Sequence, residues 1–357
     1  MTFAPKPDKY ERCMVFAGGG FRFGAYLGMY AAACDAGEKP DILLASCGGA
    51  IAAALIHALP GEDARKDWLC SRQMYEYCRE ARSTAHAAVH RVLLRAAQRR
   101  FSTRLAPIIP DVFSEYLFEP PSDAIPLPPV VRYVGQPALA IIGAKILFAP
   151  CDVGNARGGR KLFEETIFAG ERVQQLLASE TSALASGPWH ASAVAPRLSF
   201  ESVYPLTSAV LISTADVVYF PTVSHLGQRY SGGAIDLFPI EIAKQLAKEI
   251  IMEFKAPLDR IFAQPAWRSV YGIDGNARLA QVQQNHAKVG SDVWIETRDI
   301  RQKLRTEQVQ KRLDWRTGRI NLVAAKTHAD FVAQMQAQWR YGYQCATAAF
   351  AKQRAKR

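Results

Sequence analysis

Apolar and polar positions fall into short blocks from the start of the chain. Residues 13–17 (CMVFA) form an apolar run that ends in Gly18-Gly19-Gly20, the pattern of a buried strand entering a tight loop. Residues 23–36 are helical in composition and stop at Gly37. Residues 42–45 (ILLA) predict a second strand. Ser46-Cys47-Gly48-Gly49 then turns into an Ala-rich buried helix over 50–59. Strand, glycine loop, helix, strand, sharp turn, helix is the opening of a parallel α/β sheet.

The pattern is less regular in the middle. Residues 63–104 read as helix, and 107–137 are proline-rich, which predicts a loop, an excursion over the core or a lid. Residues 139–148 (LAIIGAKILF) read as a core strand, or as two with a turn at Gly143. Further on, 209–220 is an apolar run closed by Pro221, Tyr230-Ser231-Gly232-Gly233 is a turn, and 237–254 has helical periodicity. Residues 259–263 and 293–297 look like strands, and 328–356 a long closing helix. No internal repeat stands out. One α/β domain over 1–357 is expected, with a helical and proline-rich insertion at 60–137.

Composition narrows the class. With 49% hydrophobic and 22% charged residues in 357, the chain can bury a sizeable core, which excludes a disordered or low-complexity protein. Lys and Arg number 44 against 33 Asp and Glu, a net +11, and this favours an anionic partner. Seven cysteines without C-x-x-C spacing fit free thiols in a reducing compartment better than disulfides or zinc. The stretch 42–61 lacks charge, but its Ser-Cys-Gly-Gly and closing His-Ala-Leu-Pro fit strand, turn and helix better than a membrane span. A polar N-terminus, MTFAPKPDKYER, carries no secretory pattern. The expectation is a cytoplasmic protein, with a peripheral membrane association left open.

Two glycine-rich turns carry the candidate chemistry. Gly18-Gly19-Gly20 between strand and helix leaves backbone N–H groups open to an anion or oxyanion. It is neither a dinucleotide fingerprint, since Phe23 stands where a glycine would be needed, nor a P-loop, since no G-K-[ST] follows. Ala45-Ser46-Cys47-Gly48-Gly49 has the small residues that a strained nucleophile elbow needs on both sides of its apex, here Cys47. By itself, a cysteine at an apolar strand end is more often a small core residue.

Together the stretches AGGGFRFGAYLG (17–28), DILLASCGGAIAAAL (41–55), STADVVYFPTV (213–223) and YSGGAIDLFPIEIA (230–243) resemble the patatin-like phospholipase family. The closing GYQCA (342–346) is only vaguely similar, and 60–200 is not similar. The resemblance implies an α/β three-layer sandwich with a mostly parallel central sheet. It also implies an oxyanion hole from the glycine loop and a serine nucleophile paired with an aspartate. Here Cys47 replaces that serine, Ala45 the first elbow glycine and Ser231 the dyad aspartate. Phe23 replaces the glycine after Arg22, and Arg22 itself matches. A standard Ser–Asp mechanism is therefore not expected.

The two dyad changes are coherent as a thiolate site. A thiol starts from a pKa of about 8.5 and can be lowered at a helix N-terminus without a base, whereas a nearby carboxylate would oppose ionisation. Exchanging aspartate for serine removes that repulsion and leaves a hydroxyl to hydrogen-bond the sulfur. The same changes also describe an abandoned site kept for binding. The sequence reading is acyl transfer or acyl hydrolysis through a Cys47 thioacyl intermediate, with Ser231 orienting the sulfur. Gly18, Gly19, Gly20, Arg22 and Gly48 would surround the oxyanion and substrate. The substrate would be a lipid ester or an acyl thioester on CoA or an acyl carrier. The alternative is an inactive scaffold that binds lipid or acyl groups.

Other candidates read as structural. His57 lies over two turns from the elbow and reads as a core or helix-end histidine, His225 as a surface loop residue, and Asp236 as a cap for a helix starting near Leu237. No spacing suggests a metal, and no cofactor is expected. Six arginines and no acid fall between Arg82 and Arg104. They read as a solvated helix face or as a contact for an anionic membrane surface. Nucleic acid is not expected, since no recognised nucleic-acid module accompanies them.

Overall fold

The computed structural model describes residues 7–101, 105–121, 124–284 and 292–356. The chain opens with β1 (Tyr10–Phe16), α1 (Phe23–Asp35), β2 (Ile42–Ala45) and α2 (Gly48–Ala58). There follow α3 (Glu62–Leu69), α4 (Arg72–Arg79), β3 (Arg82–Ser83), α5 (Val89–Phe101) and β4 (Phe118–Glu119). The central part holds β5 (Ala138–Ile146), β6 (Phe163–Ala169), α6 (Glu171–Leu177), β7 (Val194–Glu201), α7 (Leu206–Thr214), β8 (Val223–His225) and β9 (Gln228–Ser231). Next come α8 (Ile240–Leu246), β10 (Ala247–Phe254), α9 (Ala263–Tyr271), α10 (Gly275–Gln284) and β11 (Val293–Glu296). The last elements are α11 (Ile300–Lys303), β12 (Gln310–Asp314), β13 (Arg319–Val323) and α12 (His328–Arg354).

The main sheet runs β11-β10-β1-β2-β5-β6-β7, with β9 and β8 attached beside β5. Pairing is parallel from β11 through β5 and between β6 and β7, and antiparallel where β5 meets β6 and β9. Alternation along β1 explains the layers: Cys13 and Val15 face one apolar core with α6, α8, α9 and α10, while Met14 and Phe16 face another with α1, α2, α7 and α12. Helices cover both faces of a mostly parallel sheet, so the molecule is a three-layer α/β sandwich. The α1–α12 contact is unusually close. A Cβ on Gly28 would lie 2.0 Å from the Trp339 carbonyl, and one on Gly342 would lie 1.9 Å from that of Ala25.

Several expected elements differ. The helical reading of 237–254 divides into α8 and the buried strand β10, because the run Ile250-Ile251-Met252 fills the slot between β1 and β11. A short apolar run does not distinguish the two states by periodicity alone. The strand expected at 259–263 is a turn: Asp259 accepts the N–H groups of Ile261, Phe262 and Ala263 and leads into α9. Residues 138–146 form one strand without a turn at Gly143. The helix expected over 63–104 is three helices, α4 being capped by Ser71, whose Oγ accepts the Met74 N–H. The proline-rich excursion docks along α2 and α3, where Tyr133 donates to the Ile56 carbonyl and Trp68 of α3 donates to that of Pro126.

Candidate active site

β2 ends at Ala45, paired with Ile141 of β5, and the chain turns sharply into α2. At the apex Cys47 holds φ 52° and ψ −131°, a backbone region that L-residues rarely adopt. The turn is secured on both sides. Ser46 Oγ donates to the Asp236 carbonyl at 2.7 Å, and the Cys47 N–H donates to Ser213 Oγ at 2.9 Å. The glycines after the apex are required by contact, since a Cβ on Gly48 would lie 2.0 Å from the Gly20 carbonyl oxygen and one on Gly49 would lie 2.3 Å from that of Phe16. This is the sharp strand-to-helix turn expected at 45–49.

The glycine loop lies against the elbow, the Gly20 carbonyl packing on Gly48 while those of Gly18 and Gly19 are held by side chains. Lys255 Nζ donates to the Gly18 carbonyl at 2.8 Å, and Arg22 Nε to the Gly19 carbonyl at 3.2 Å. A peptide whose carbonyl is held on one side presents the following N–H to the other. The N–H groups of Gly20 and Gly48 are near enough to the Cys47 sulfur to favour its ionised form. Behind the loop, Lys255 pairs with the buried Glu253 at 2.8 Å, and Glu253 also accepts from Tyr26 and Thr297. Burial lowers the Lys255 pKa, and Glu253 counters part of that shift. Of the residues expected around the substrate, Gly20 and Gly48 line the same cavity as Cys47, whereas Gly18, Gly19 and Arg22 border a separate, smaller space behind the loop.

The partner of the sulfur is Asp216, which sequence reasoning missed: Cys47 Sγ donates to Asp216 Oδ2 at 2.9 Å. Asp216 follows α7, and the Gly232 N–H bonds to the neighbouring Ala215 carbonyl at 2.6 Å. Burial pushes the Asp216 carboxyl up to about 6, while the Cys47 hydrogen bond, the Lys311 charge and the Ala234 N–H pull it down. The Cys47 thiol is pushed well above its ordinary value, first by burial and then by the Asp216 charge and hydrogen bond. The resting pair is a thiol and a carboxylate. This corrects the expectation of a site freed of its carboxylate and poised as thiolate. The only signal in the sequence was a single acid in the apolar run 209–220.

Ser231, expected to hydrogen-bond the sulfur, does not do so. It is fully buried at the end of β9, paired with Ala144. Burial pushes the Tyr271 phenol far above its ordinary value and the nearby Ser231 hydroxyl offsets only part of that, yet neither hydroxyl makes a hydrogen bond of normal geometry. The following glycines do reach the site, since a Cβ on Gly232 would lie 2.7 Å from Asp216 Oδ1 and one on Gly233 would lie 2.9 Å from the Cys47 nitrogen. His57 lies with Nδ1 2.9 Å from the Pro137 carbonyl. His225 packs near Tyr230. Asp236 accepts the Phe238 N–H and pairs with the buried Arg278, and the helix it was expected to cap starts at Ile240.

Cys47 and Asp216 open onto a cavity of about 460 Å³. Its walls are mostly apolar, among them Ile51, Tyr77, Leu211, Phe220 and Val223, with Pro120, Pro121 and Ile125 contributed by the proline-rich excursion. That size and lining suit an acyl chain more than a polar metabolite. Among the described residues, no group of His, Cys, Asp or Glu could hold a metal ion, and no helix is long and apolar enough to cross a membrane.

The family model for patatin-like phospholipase matches residues 14–244. No curated protein matches the sequence. Among solved structures, the crystal structure of VipD from Legionella pneumophila aligns over 98% of this chain and 68% of its own, at 12% identity and a TM-score of 0.38.

Proposed function

Because the chain belongs to the patatin-like phospholipase family, which supports lipid acyl hydrolysis in general, we propose that it removes or transfers acyl groups from a lipid ester or acyl thioester, with Cys47 as nucleophile and Asp216 as general base. The observation that carries this reading is the Cys47–Asp216 hydrogen bond at the floor of an apolar cavity, with the Gly20 and Gly48 N–H groups converging on the same sulfur.

In the acylation step, Sγ attacks the acyl carbonyl carbon while its proton passes to Asp216 Oδ2. The carbonyl oxygen takes up the negative charge and the Gly20 and Gly48 N–H groups stabilise it. The bond to the leaving alkoxide or thiolate then breaks, and Asp216 returns the proton to that group. Water or an acceptor alcohol attacks the Cys47 thioester next, losing its proton to Asp216, and the sulfur departs and is reprotonated. Asp216 assists both halves because its pKa of about 6 lets it be ionised near neutrality. A thiol exchanges readily with thioesters, which favours a CoA- or carrier-bound acyl donor.

The raised thiol pKa also supports a second reading, an acyl-binding scaffold without turnover. Intact-protein mass spectrometry after brief exposure to acyl-CoA and activated acyl esters separates the two. Catalysis predicts an added acyl mass that is absent in Cys47→Ala. A scaffold predicts no adduct and unchanged ligand affinity in that variant.

A further inference from the structure

The β12–β13 hairpin carries exposed cationic and aromatic side chains, and its tip takes no part in the acyl chemistry. Asp314 shapes its turn, accepting the Arg316 N–H at 3.0 Å and the Thr317 hydroxyl at 2.9 Å, while its carbonyl takes the Gly318 N–H at 2.8 Å. Trp315 stands at the apex, 86% exposed. Around it Arg312, Arg316 and Arg319 are exposed, so the hairpin is basic with Asp314 as its one acid.

This tip is continuous with α5. The Val89 N–H donates to the Gly318 carbonyl at 2.9 Å, and Ala88 bridges Arg319. On α5, Leu93 and Leu94 are 54% and 60% exposed, and Arg91 and Arg100 are exposed beside them. The arginine-rich segment is therefore divided. Arg95 is turned inward to Glu115, Arg99 is half-buried, and Arg104 lies outside the described residues. What faces solvent is a mixed patch of arginines, two leucines and a tryptophan drawn from two elements far apart in sequence.

We propose that the Trp315 hairpin and the outer face of α5 form a docking surface for an anionic lipid bilayer. The charge matches an anionic leaflet, and a net charge of +11 adds to the attraction. The apolar part decides between partners of the same charge. Leucines gain nothing from a phosphate backbone, whereas Trp315, Leu93 and Leu94 gain from the headgroup–acyl boundary, with Trp suited to that depth. The patch is also joined to the cavity wall. Phe118 donates to the Tyr219 carbonyl, Ser83 Oγ to the Ile320 carbonyl, and the Lys311 ammonium sits 3.5 Å from the centre of the Tyr219 ring. Docking there would hold the segment 216–220, and with it Asp216, next to the lipid.

The test is flotation of the full chain with phosphatidylcholine vesicles, with and without phosphatidylserine, comparing wild type, Trp315→Ser, Arg316→Glu/Arg319→Glu and Cys47→Ala. All the altered surface positions are exposed, and circular dichroism confirms folding. Binding to the phosphatidylserine vesicles is expected, weakened at least about tenfold by the charge reversals and also by Trp315→Ser. Cys47→Ala should bind as wild type does, so failure of the acyl chemistry leaves this result intact. The proposal is overturned if neither surface variant weakens binding, if Cys47→Ala abolishes it, or if wild type ignores the anionic vesicles. Binding to duplex DNA more tightly than to vesicles would also overturn it.

Discussion

The carboxylate of Asp216 lies 2.9 Å from the sulfur of Cys47, and the two groups share a single proton that rests on sulfur. With the carboxyl at about 6 and the thiol well above its ordinary range, transfer of that proton is uphill in the resting protein. In the proposed reaction it becomes favourable only as the sulfur bonds to an acyl carbon. Asp216 therefore has to be ionised before the reaction starts.

The rate of Cys47 acylation should follow that ionisation. Below about pH 6, Asp216 holds a proton and cannot accept the thiol's. Single-turnover acylation by an activated ester should rise about tenfold per pH unit up to that point and then level. A rate that keeps climbing through pH 8 and 9 would indicate ordinary thiol ionisation and exclude Asp216 as the base.

Asp216→Asn should move two properties of Cys47 in opposite directions. Loss of the carboxylate removes a cause of the raised thiol pKa, so alkylation by iodoacetamide at pH 8 should accelerate. Loss of the base should slow acylation by about 10²- to 10⁴-fold. If both rates fell together, the substitution would have closed or distorted the cavity instead.

The same carboxyl links stability to pH. Its folded pKa of about 6 exceeds the ordinary 3.8, so the folded state binds the proton more tightly than the unfolded one. Stability from that proton is full below about pH 4 and is lost as pH rises through 6. At pH 7.5, Asp216→Asn should stabilise the fold by about 1–3 kcal/mol, and at pH 4 it should bring little. Thermal melts at the two pH values check the sign.

Lys255 positions the glycine loop without lining the cavity that holds Cys47. It holds the Gly18 carbonyl from behind and borders a separate space of about 60 Å³. Lys255→Met should lower kcat by about 10²- to 10³-fold through misdirected donors, with KM nearly unchanged. It also leaves Glu253 buried without its cation, so Lys255→Met/Glu253→Gln is the necessary companion. Recovery of stability but not of kcat in the double variant would assign Lys255 to loop geometry.

The half of the site that was legible in the sequence is the half built locally. Gly18, Gly19 and Gly20 lie between β1 and α1, and Gly48 and Gly49 follow Cys47 directly. Gly48 and Gly49 answer to close contacts with Gly20 and Phe16 of the preceding βα unit, near in sequence, and so leave a visible pattern. Asp216 is 169 residues from Cys47 and meets it only because β9 occupies the edge of β5 that β2 vacates at the elbow. No local periodicity encodes that meeting. Ser231 was singled out by its turn, and the turn does reach the site, through Gly232 and Gly233 and not through its hydroxyl. The strand β10 was read as helix for the same reason, since its partners β1 and β11 are distant in the chain.

Ile51 should set acyl chain length. It stands one turn along α2 from Cys47, is 6% exposed and lines the apolar cavity. A larger side chain there would fill the space that distal methylenes need while leaving the elbow and its donors in place. Discrimination per methylene in an apolar pocket is about 1–3 kcal/mol. Ile51→Trp should therefore cut kcat/KM for long-chain donors by about 10- to 200-fold and leave acetyl donors close to wild type. The measurement is kcat/KM across a series of acyl-CoA or p-nitrophenyl esters of increasing length. A uniform loss at every length would mean that Ile51 supports the Cys47 turn itself, and the chain would then have to leave the sulfur along the Phe220 and Val223 wall.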